Sequence, residues 1–248
     1  MLNNSKPSRI SVARGLEGRI KEVERIMMAE RRAQYRVLRF EAGPFAENCY
    51  IVGSLTTKKA ILIDPGDEID KVQRGIEHEG FTLEAILLTH GHIDHAVGLA
   101  DIKERTKAPV YYHELESSMV RGLAMQGLMF GLRAKNGPPP DYALKGGEML
   151  NLIELSINVL HTPGHTAGEV CFWVPALSWL ISGDVLFQGS IGRTDLPGGD
   201  YATLIASIQK KLLVLPEETV VFPGHGPKTT IGQEKRTNPF LIGLSPGP

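Results

Sequence analysis

The stretch that decides the fold is Ala85-Ile86-Leu87-Leu88-Thr89-His90-Gly91-His92-Ile93-Asp94-His95, in which four apolar residues lead into three histidines and an aspartate. The short apolar run, bounded by Glu84 and the turn at Gly91, predicts a buried strand. The polar side chains then lie beyond the carboxyl end of that strand, where α/β folds bind their ligands. Their spacing does not allow them all to face one way on a single helix or strand. We therefore expect a loop that turns into a helix, from which they diverge and hold more than one ion.

The composition is that of a globular protein. The chain has 248 residues, of which 42% are hydrophobic and 22% charged, enough for a sizeable core in one large domain or two small ones. Its net charge of −1 offers no basic surface for nucleic acid or an anionic membrane, so we expect neither as a partner. No apolar run reaches the ~18 residues that a membrane span needs. The sequence does not specify an oligomeric state.

The N-terminal part differs from the rest in its charge. Residues 1–14 contain serines and basic residues but no acidic one, a composition similar to a transit peptide, and they lack the apolar centre of a signal peptide. The two cysteines, Cys49 and Cys171, lie in apolar runs and are too few for a disulfide framework. We therefore expect a cytoplasmic protein, with organellar targeting as the alternative.

We expect three parts along the chain. Residues 1–34 form an N-terminal extension with a peripheral helix in the charge-rich stretch from residue 16, unless translation starts at Met27 or Met28. Residues 35–242 form a single domain, because no linker-like break interrupts them. Residues 243–248 form a tail.

Short apolar runs and tight turns alternate along the first half of this domain. They predict strands at Val37–Glu41, Cys49–Gly53, Ala60–Ile63, Ala85–Leu88 and Val110–Tyr112, with helices at 68–79 and at about 95–105. Such a β-α-β-α-β run predicts a sheet with helices packed on it.

The second half predicts a further set of strands, at Met149–Leu152, Ile157–Leu160, Val170–Val174, Trp179–Ser182 and Val220–Phe222, with one helix at Tyr201–Leu213. Two such halves predict two sheets face to face with helices outside. The intervening residues 113–146 have little strand character and are long for a connection, which is typical of a lid or binding loop. Met119, Met125, Met129 and Phe130 in this segment either fill gaps in the core or line a substrate groove.

Four further stretches share one design, an apolar strand followed by a metal-capable side chain at a glycine-rich turn. They are His161-Thr162-Pro163-Gly164-His165, Ser182-Gly183-Asp184, Pro223-Gly224-His225-Gly226 and, without a histidine, Asp64-Pro65-Gly66. Neutral imidazole is the commonest metal ligand, and glycine lets the backbone approach an ion closely. The His165, Asp184 and His225 side chains of the first three turns therefore complete the ligand set that begins at His90.

We predict two metal ions from this set. His90, His92 and His165 are assigned to one ion, Asp94, His95 and His225 to the second, and Asp184 bridges the two. Seven ligands leave coordination positions open for a water and a substrate, which is typical of a catalytic site, so Asp94 and Asp184 are also candidate catalytic residues. Zinc is the favoured divalent metal, with iron or manganese as alternatives.

The remaining polar candidates are weaker. His161 either orients a metal ligand or only forms hydrogen bonds within its turn. His113 either lines the pocket or has a structural role, and His78 lies on the exposed face of a helix. Asp64 is a candidate for orienting a ligand histidine through a hydrogen bond.

The pattern His90-x-His92-x-Asp94-His95, with His165, Asp184 and His225 far along the chain, resembles the metallo-β-lactamase superfamily. Several stretches are similar to glyoxalase II (hydroxyacylglutathione hydrolase) and its short bacterial relatives: His161-Thr-Pro-Gly-His165-Thr-Ala-Gly168, Gly183-Asp184-Val-Leu-Phe187, Gly192-Arg193-Thr194-Asp195, Pro223-Gly-His225-Gly-Pro227-Lys-Thr-Thr230 and Asn238-Pro239-Phe240. The resemblance spans residues 36–242. It implies an α/β fold, a four-layer αββα sandwich, and a two-metal hydrolase in which a metal-bridging hydroxide attacks thioesters of the S-D-lactoylglutathione type.

Two features concern the glutathione part of such a substrate. Glyoxalase II-like proteins bind the glutathione carboxylate with a basic residue nine positions after the bridging aspartate, which implies this role for Arg193. The alternative is a structural pair between Arg193 and Asp195, a position where the longer enzymes carry a tyrosine. Only 23 residues follow His225, too few for the C-terminal helical domain of full-length glyoxalase II, so the resemblance is to the short bacterial type.

Three alternatives compete with a thioesterase. An iron-dependent persulfide dioxygenase would use one iron at the equivalents of His90, His165 and Asp184, but such relatives carry His-Asp-Tyr where this chain has Pro223-Gly-His225-Gly-Pro227. A lactonase or β-lactamase matches less well after Asp184. A metal-binding or RNA-processing scaffold is disfavoured by the complete ligand set and the near-neutral charge. No G-x-S-x-G or P-loop pattern supports serine hydrolysis or nucleotide chemistry.

Overall fold

Two six-stranded β-sheets lie face to face and helices cover the outer face of each, which confirms the four-layer αββα sandwich. The computed structural model describes residue 23 and residues 25–244. The transit-like stretch 1–14, the start of the predicted N-terminal helix and the last four residues of the tail lie outside the described residues. The division into extension, domain and tail stays a prediction.

The first sheet comes from the N-terminal half of the chain. A helix at residues 25–32, α1, precedes it. Its strands are β1 (Tyr35–Ala42), β2 (Glu47–Ser54), β3 (Lys59–Ile63), β4 (Thr82–Leu87), β5 (Val110–His113) and β6 (Tyr142–Leu144), side by side in that order. The pairs from β3 to β6 are parallel, and parallel strands need crossover connections. These connections contain the helices α2 (Ile69–Glu79), α3 (Ile93–Ala96), α4 (Leu99–Thr106), α5 (Ser117–Arg121) and α6 (Leu123–Phe130).

The second sheet comes from the C-terminal half. Its strands are β7 (Met149–Leu152), β8 (Leu155–His161), β9 (Val170–Val174), β10 (Trp179–Gly183), β13 (Val220–Pro223) and β14 (Thr229–Thr230). They are arranged as β14-β13-β10-β9-β8-β7, with β10 and β13 parallel. A separate hairpin joins β11 (Leu186–Phe187) to β12 (Ser190–Ile191). The covering helices are α7 (Tyr201–Ser207), which a π-helical segment at Ile208–Leu212 extends, and α8 (Ile231–Thr237).

Burial on both faces explains why the central strands are continuously apolar. In β3, Ile61 and Ile63 pack between the two sheets, whereas Ala60 and Leu62 pack under the helices of the first sheet. Successive side chains of a strand point to opposite faces, so a strand with apolar contacts on both sides shows no polar alternation. Each fully buried aliphatic side chain contributes about 1.5–3 kcal/mol to folding.

The prediction of one continuous helix at about 95–105 is wrong, because two helices, α3 and α4, occupy this segment. The break lies at Val97 and Gly98. The Gly98 N–H donates to the Pro65 carbonyl at 2.9 Å instead of to a carbonyl of the preceding turn. A Cβ on Gly98 would lie 2.4 Å from the carbonyl oxygen of Gly66, so glycine is required where these two loops meet.

The segment 113–146 contains more regular structure than its sequence pattern predicts. It holds α5 and α6, and β6 extends the first sheet by parallel pairing with β5. The pattern does not reveal β6 because the strand has only three residues, two of them exposed. The short elements β11, β12, β14 and α8 were also not predicted.

The helix α1 contacts the turn between β9 and β10 of the second sheet. The Arg32 guanidinium donates to the Leu177 carbonyl at 2.6 Å. This helix accounts for the described part of the predicted N-terminal helix. None of the helices in the described part of the chain has both the length and the apolar character to cross a membrane.

Candidate metal centre

The seven predicted ligands lie at one edge of the sandwich. His90 and His92 follow β4, and Asp94 and His95 lie in α3 directly after them. His165, Asp184 and His225 follow β8, β10 and β13. Because β10 and β13 are parallel, their carboxyl ends meet at the same edge of the second sheet. The chain turns from a loop into α3 at Ile93. His90 and His92 therefore point toward one predicted ion, and Asp94 and His95 point toward the other.

The first predicted triad is compact. His90 Nε2 lies 3.1 Å from His92 Nδ1, and His165 Nε2 lies 2.9 Å from the same His92 nitrogen. The rings of His90 and His165 stand nearly perpendicular to the ring of His92. Three imidazole nitrogens therefore converge on one point, an arrangement that suits a metal ion with nitrogen ligands.

The second predicted triad lies beside the first. His225 Nε2 lies 3.3 Å from Asp94 Oδ2, and His95 Nε2 lies 3.9 Å from the same oxygen. The side chains of His225 and Asp94 are 28% and 17% exposed, whereas His95 is fully buried. The cluster is therefore accessible to solvent on the side of Asp94 and His225.

Asp184 stands between the two triads. Its Oδ1 lies 3.3 Å from His95 Nε2, and its Oδ2 lies 3.6 Å from His165 Nε2 and 3.5 Å from His225 Nε2. One carboxylate thus faces ligands from both sets. This is the position expected of a residue that bridges two ions.

Hydrogen bonds fix which nitrogen carries the hydrogen in two of these histidines. His165 Nδ1 lies 2.7 Å from the Arg193 carbonyl oxygen, which only accepts, so His165 Nε2 keeps its lone pair. The Thr89 hydroxyl donates to Asp64 at 2.7 Å, and it therefore accepts from His90 Nδ1 at 3.1 Å. In both rings Nε2 is directed toward His92 Nδ1.

Asp64 orients His95, as predicted from its turn. Its Oδ2 accepts from His95 Nδ1 at 3.1 Å, and its Oδ1 accepts from the Thr89 N–H at 2.7 Å. His95 Nε2 then faces Asp184 Oδ1 at 3.3 Å, and neither atom has another hydrogen-bond partner among the described residues. A metal ion between the two atoms, or a hydrogen on His95 Nε2, satisfies both of them.

Three buried glutamates that the sequence analysis did not single out surround the cluster. Glu116 links loops of the two sheets, because its carboxylate accepts at 2.8 Å from the N–H groups of Gly91 and Gly168. Glu169 accepts from the Asp184 N–H at 2.7 Å and lies 3.6 Å from His90 Nδ1. Glu47 lies 3.9 Å from His95 Nδ1. Glu47 and Glu169 each lie at the start of an apolar strand, and this position in the sequence could have indicated them as candidates. Glutamate is rarely buried without a partner, so a glutamate next to a buried strand predicts a polar contact.

The buried carboxyl groups of this region have shifted pKa values. Burial raises the pKa of the Glu47 and Glu169 carboxyls well above their usual value. Burial also acts to raise the pKa of Asp184, but His95 and His225 outweigh it and hold that pKa well below its usual value. In the part of the chain that the structure describes, no lysine or arginine pairs with these three carboxylates. Imidazole and carboxylate ligands fit zinc, iron and manganese, so the residues present fit a centre for such ions.

Arg193 is paired with Asp195 at the surface. Its Nε and Nη2 each donate to one oxygen of the Asp195 carboxylate at 2.7 Å. The hydrogen bonds from Arg193 lower the pKa of Asp195 to about 2. The structure thus contains the ion pair that was the alternative to substrate binding, and the binding role of Arg193 stays a prediction.

The other histidines lie outside the ligand cluster. His161 Nε2 donates to the Ala167 carbonyl at 3.0 Å, and its ring stacks on His113 with 4.3 Å between the centroids. His113 Nδ1 accepts from the Leu115 N–H and caps a short 3-10 turn. His78 is exposed on α2, as expected.

Comparison with known proteins agrees with this geometry. The sequence model of the metallo-beta-lactamase superfamily matches residues 42–225. The hydroxyacylglutathione hydrolase GloC of Haemophilus influenzae is 41% identical over 199 residues, which are 79% of this chain and 93% of GloC. The crystal structure of the BLEG-1 B3 metallo-beta-lactamase matches with a TM-score of 0.79 and 40% identity, covering 84% of this chain and 100% of that one. The structure of TTHA1623 in a di-iron-bound form matches with a TM-score of 0.77 and 43% identity, covering 83% and 100%.

Proposed function

The chain belongs to the metallo-beta-lactamase superfamily and is a metal-dependent hydrolase, and from this premise we propose that it is a two-metal thioesterase for acyl thioesters of the S-D-lactoylglutathione type. The observation that carries the proposal is the convergence of seven ligand side chains on a point that opens to solvent on one side. The similarity to GloC, a hydroxyacylglutathione hydrolase, supports a thioester as the bond that is cleaved.

The ligand side chains would hold two divalent cations. His90, His92 and His165 would bind one and Asp94, His95 and His225 the other, with Asp184 shared between them. When bound, such cations supply Lewis acidity toward a carbonyl oxygen and lower the pKa of water at the site. Zinc is the ion that we favour, and the similarity to a di-iron-bound structure keeps iron as the alternative.

The protein's part in the reaction is to fix positions before the substrate arrives. The Arg193 carbonyl, Thr89 and Asp64 hold the rings of His165, His90 and His95, so little reorganisation is needed during the reaction. We assign Asp94 and Asp184 to orienting the attacking water, because the Oδ2 atom of each faces His225 at the open side and can accept a hydrogen bond. A thiol has a pKa near 8.5, so the thiolate leaves without a protein acid.

We propose that the thiol portion of the substrate lies toward Arg193. The Arg193 carbonyl accepts from His165, so this residue borders the first triad. A guanidinium binds carboxylates well, and a carboxylate of glutathione would then compete with Asp195 for the same donors.

We also propose a cytoplasmic location. Cys49 and Cys171 are both buried and unpaired, which is usual in proteins of reducing compartments.

The test is hydrolysis by protein loaded with zinc or iron. With S-D-lactoylglutathione we expect a kcat/KM on the order of 10⁴ M⁻¹ s⁻¹ or more, its loss with a chelator, and its return with the metal. Metal analysis is expected to give two ions per chain.

Three parallel assays use the same preparation. Hydrolysis of a β-lactam or a lactone without any thioester cleavage would contradict the proposal in favour of the other hydrolases of the superfamily, to which the match with BLEG-1 directs attention. Oxygen uptake by the iron-loaded protein with glutathione persulfide, and no thioester cleavage, would instead identify a dioxygenase.

A further inference from the structure

An exposed apolar surface lies in the segment between β5 and β6. The helix α6 has no charged residue, and its Met125, Met129 and Phe130 are 66%, 77% and 55% exposed. Phe45, in the turn between β1 and β2, meets Phe130 edge to face with 5.4 Å between the ring centroids. We call these four residues the α6 face. Contiguous exposed apolar side chains mark a binding site more often than isolated ones do.

Three contacts locate the α6 face beside the candidate metal centre. Gln126 Nε2 donates to the Gly91 carbonyl at 3.3 Å, so α6 rests on the backbone between His90 and His92. Met129 and Phe130 follow Gln126 by three and four residues and therefore lie on the same side of the helix. At the other end, Phe45 is two residues from Glu47, whose backbone pairs with that of His225.

The face therefore extends from the ligand loop to His225, along the side on which the cluster is open to solvent. A substrate whose reacting carbonyl lies at the cluster has its acyl group attached to that same carbon. The acyl group can then extend over the α6 face on the open side, whereas the charged thiol portion extends toward Arg193. In a glutathione thioester with an alkyl acyl chain, the two ends differ in polarity in the same way.

We propose that the α6 face binds the acyl group of the substrate, so that the enzyme prefers thioesters with apolar acyl chains of several carbons. This inference rests on the proposed thioesterase function and adds the class of acyl group to it. Methionine suits this role because its side chain is flexible and polarisable and adapts to groups of different length.

Other occupants fit the α6 face less well. The α6 face consists of four side chains, whereas a stable protein interface takes about 20–30 residues from each partner. The helix α6 has no lysine or arginine, so it lacks the positive charge that draws an amphipathic helix to anionic lipid.

The experiment compares three substrates that differ only in acyl length: S-acetyl-, S-butyryl- and S-hexanoylglutathione. For metal-loaded wild-type protein we expect kcat/KM to rise about twofold for each added methylene, and thus about tenfold or more across the series. Met129→Gln and Phe130→Ala are expected to reduce the rise across the series to less than about threefold, since they remove apolar contact from the acyl chain.

The matched control is Met149→Gln. Met149 is 60% exposed at the start of β7, so the chemical change and the exposure resemble those of Met129. The control is expected to keep the full dependence on acyl length. Equal loss in Met129→Gln and Met149→Gln would overturn the proposal.

Two further outcomes separate this inference from the function on which it rests. A flat acyl series in a protein that hydrolyses S-D-lactoylglutathione overturns the acyl site and leaves the thioesterase intact. If no thioester is cleaved, the thioesterase fails, and calorimetry with S-methyl- and S-hexylglutathione decides the site by itself. About tenfold tighter binding of the hexyl compound, lost in Met129→Gln, supports an apolar site, and equal binding of the two compounds overturns the proposal.

Sedimentation tests whether a second copy of the chain covers the α6 face. A dimer that Met129→Gln abolishes would show that it does and would also overturn the proposal.

Discussion

The metal centre and the helix that carries the α6 face meet at Gly91, where Gln126 donates to the backbone, but the centre and the face are built in opposite ways. In the centre, His90 and His165 are almost completely buried, and each holds its position through a hydrogen bond on the nitrogen that faces away from the cluster. On the α6 face, Met129 is largely exposed and has no polar group that could fix it. Chemistry depends on positions within fractions of an ångström, whereas recognition of a flexible chain tolerates a surface that adapts.

This contrast separates the expected effects of substitution. Changes within the centre are expected to lower metal content and kcat together, because they disturb the positions of the ligands. Changes at its borders, on the α6 face or at Arg193, are expected to alter KM or the choice of substrate while the metals stay bound.

The largest effect is expected from Asp184→Asn. The substitution removes the negative charge that faces both triads, and the new amide N–H can donate to His95 Nε2, which satisfies that lone pair without a cation. We expect loss of at least one of the two ions and a fall in kcat/KM of about 10³-fold or more. Metal analysis and S-D-lactoylglutathione hydrolysis measure both.

Thermal unfolding provides the control for Asp184→Asn. Its transition is expected to resemble that of the wild-type protein after chelation, because both lack the stabilisation that bound metal provides. A variant that retained two ions and the normal rate would show that Asp184 does not join the two triads.

The same contrast explains which parts of the molecule the sequence predicts. Apolar runs such as Ala60–Ile63 and Val170–Val174 identify strands because both of their faces are buried, so the signal is local. The ligand residues are recognisable because metal-capable side chains follow such strands at glycine turns. Helix α2 is predicted with its buried residues Ile69, Val72 and Ile76, because helical periodicity is also local.

The supporting residues are less predictable because their roles depend on contacts between distant parts of the chain. Glu116 acts by accepting hydrogen bonds from Gly91 and Gly168, which lie in loops of different sheets. No spacing in the sequence reveals that meeting. The exposure of Met125, Met129 and Phe130 could not be predicted for a similar reason, since a methionine-rich helix has the same pattern whether it is buried or exposed.

A smaller effect is expected from Asp64→Asn, which tests whether the rigid support of the centre matters. Asp64 accepts from Thr89 and from His95 Nδ1, and an amide nitrogen in its place would meet one of those donors. If the amide donates to His95 Nδ1, the hydrogen of that ring moves to Nε2, and the ring no longer presents a lone pair to a metal. We expect weaker binding of the second ion and a loss of about tenfold to hundredfold in activity.

The matched control for this change is Asp67→Asn, an exposed aspartate near the same turn. It is expected to leave metal content and activity unchanged. Titration of zinc into the metal-free proteins measures the two affinities separately. Equal zinc affinities in Asp64→Asn and Asp67→Asn would mean that the orientation of His95 does not depend on Asp64, and the proposed rigidity of the centre would be wrong.

The smallest effect is expected at Arg193, where two substitutions should act in opposite directions. Arg193→Ala removes the guanidinium and should raise KM for S-D-lactoylglutathione by about threefold to tenfold, whereas Asp195→Asn frees the guanidinium and should lower KM. The contact to His165 comes from the Arg193 carbonyl, so neither side-chain change removes it, and kcat and metal content should remain constant. Steady-state kinetics at several substrate concentrations separates KM from kcat.

The pH dependence sharpens this last prediction. Arg193 lowers the pKa of Asp195 to about 2, so the ion pair exists at every pH above that value and is lost only as the pH falls through it. The ratio of KM between Asp195→Asn and wild type should therefore be the same at pH 5 and at pH 8. A ratio that changed over this range would show that a group other than Asp195 competes for Arg193, and an unchanged KM in Arg193→Ala would assign the ion pair a structural role only. In either case the assignment of the metal ligands would be unaffected. The residues that bind the thiol portion of the substrate would then lie elsewhere on the open side of the cluster.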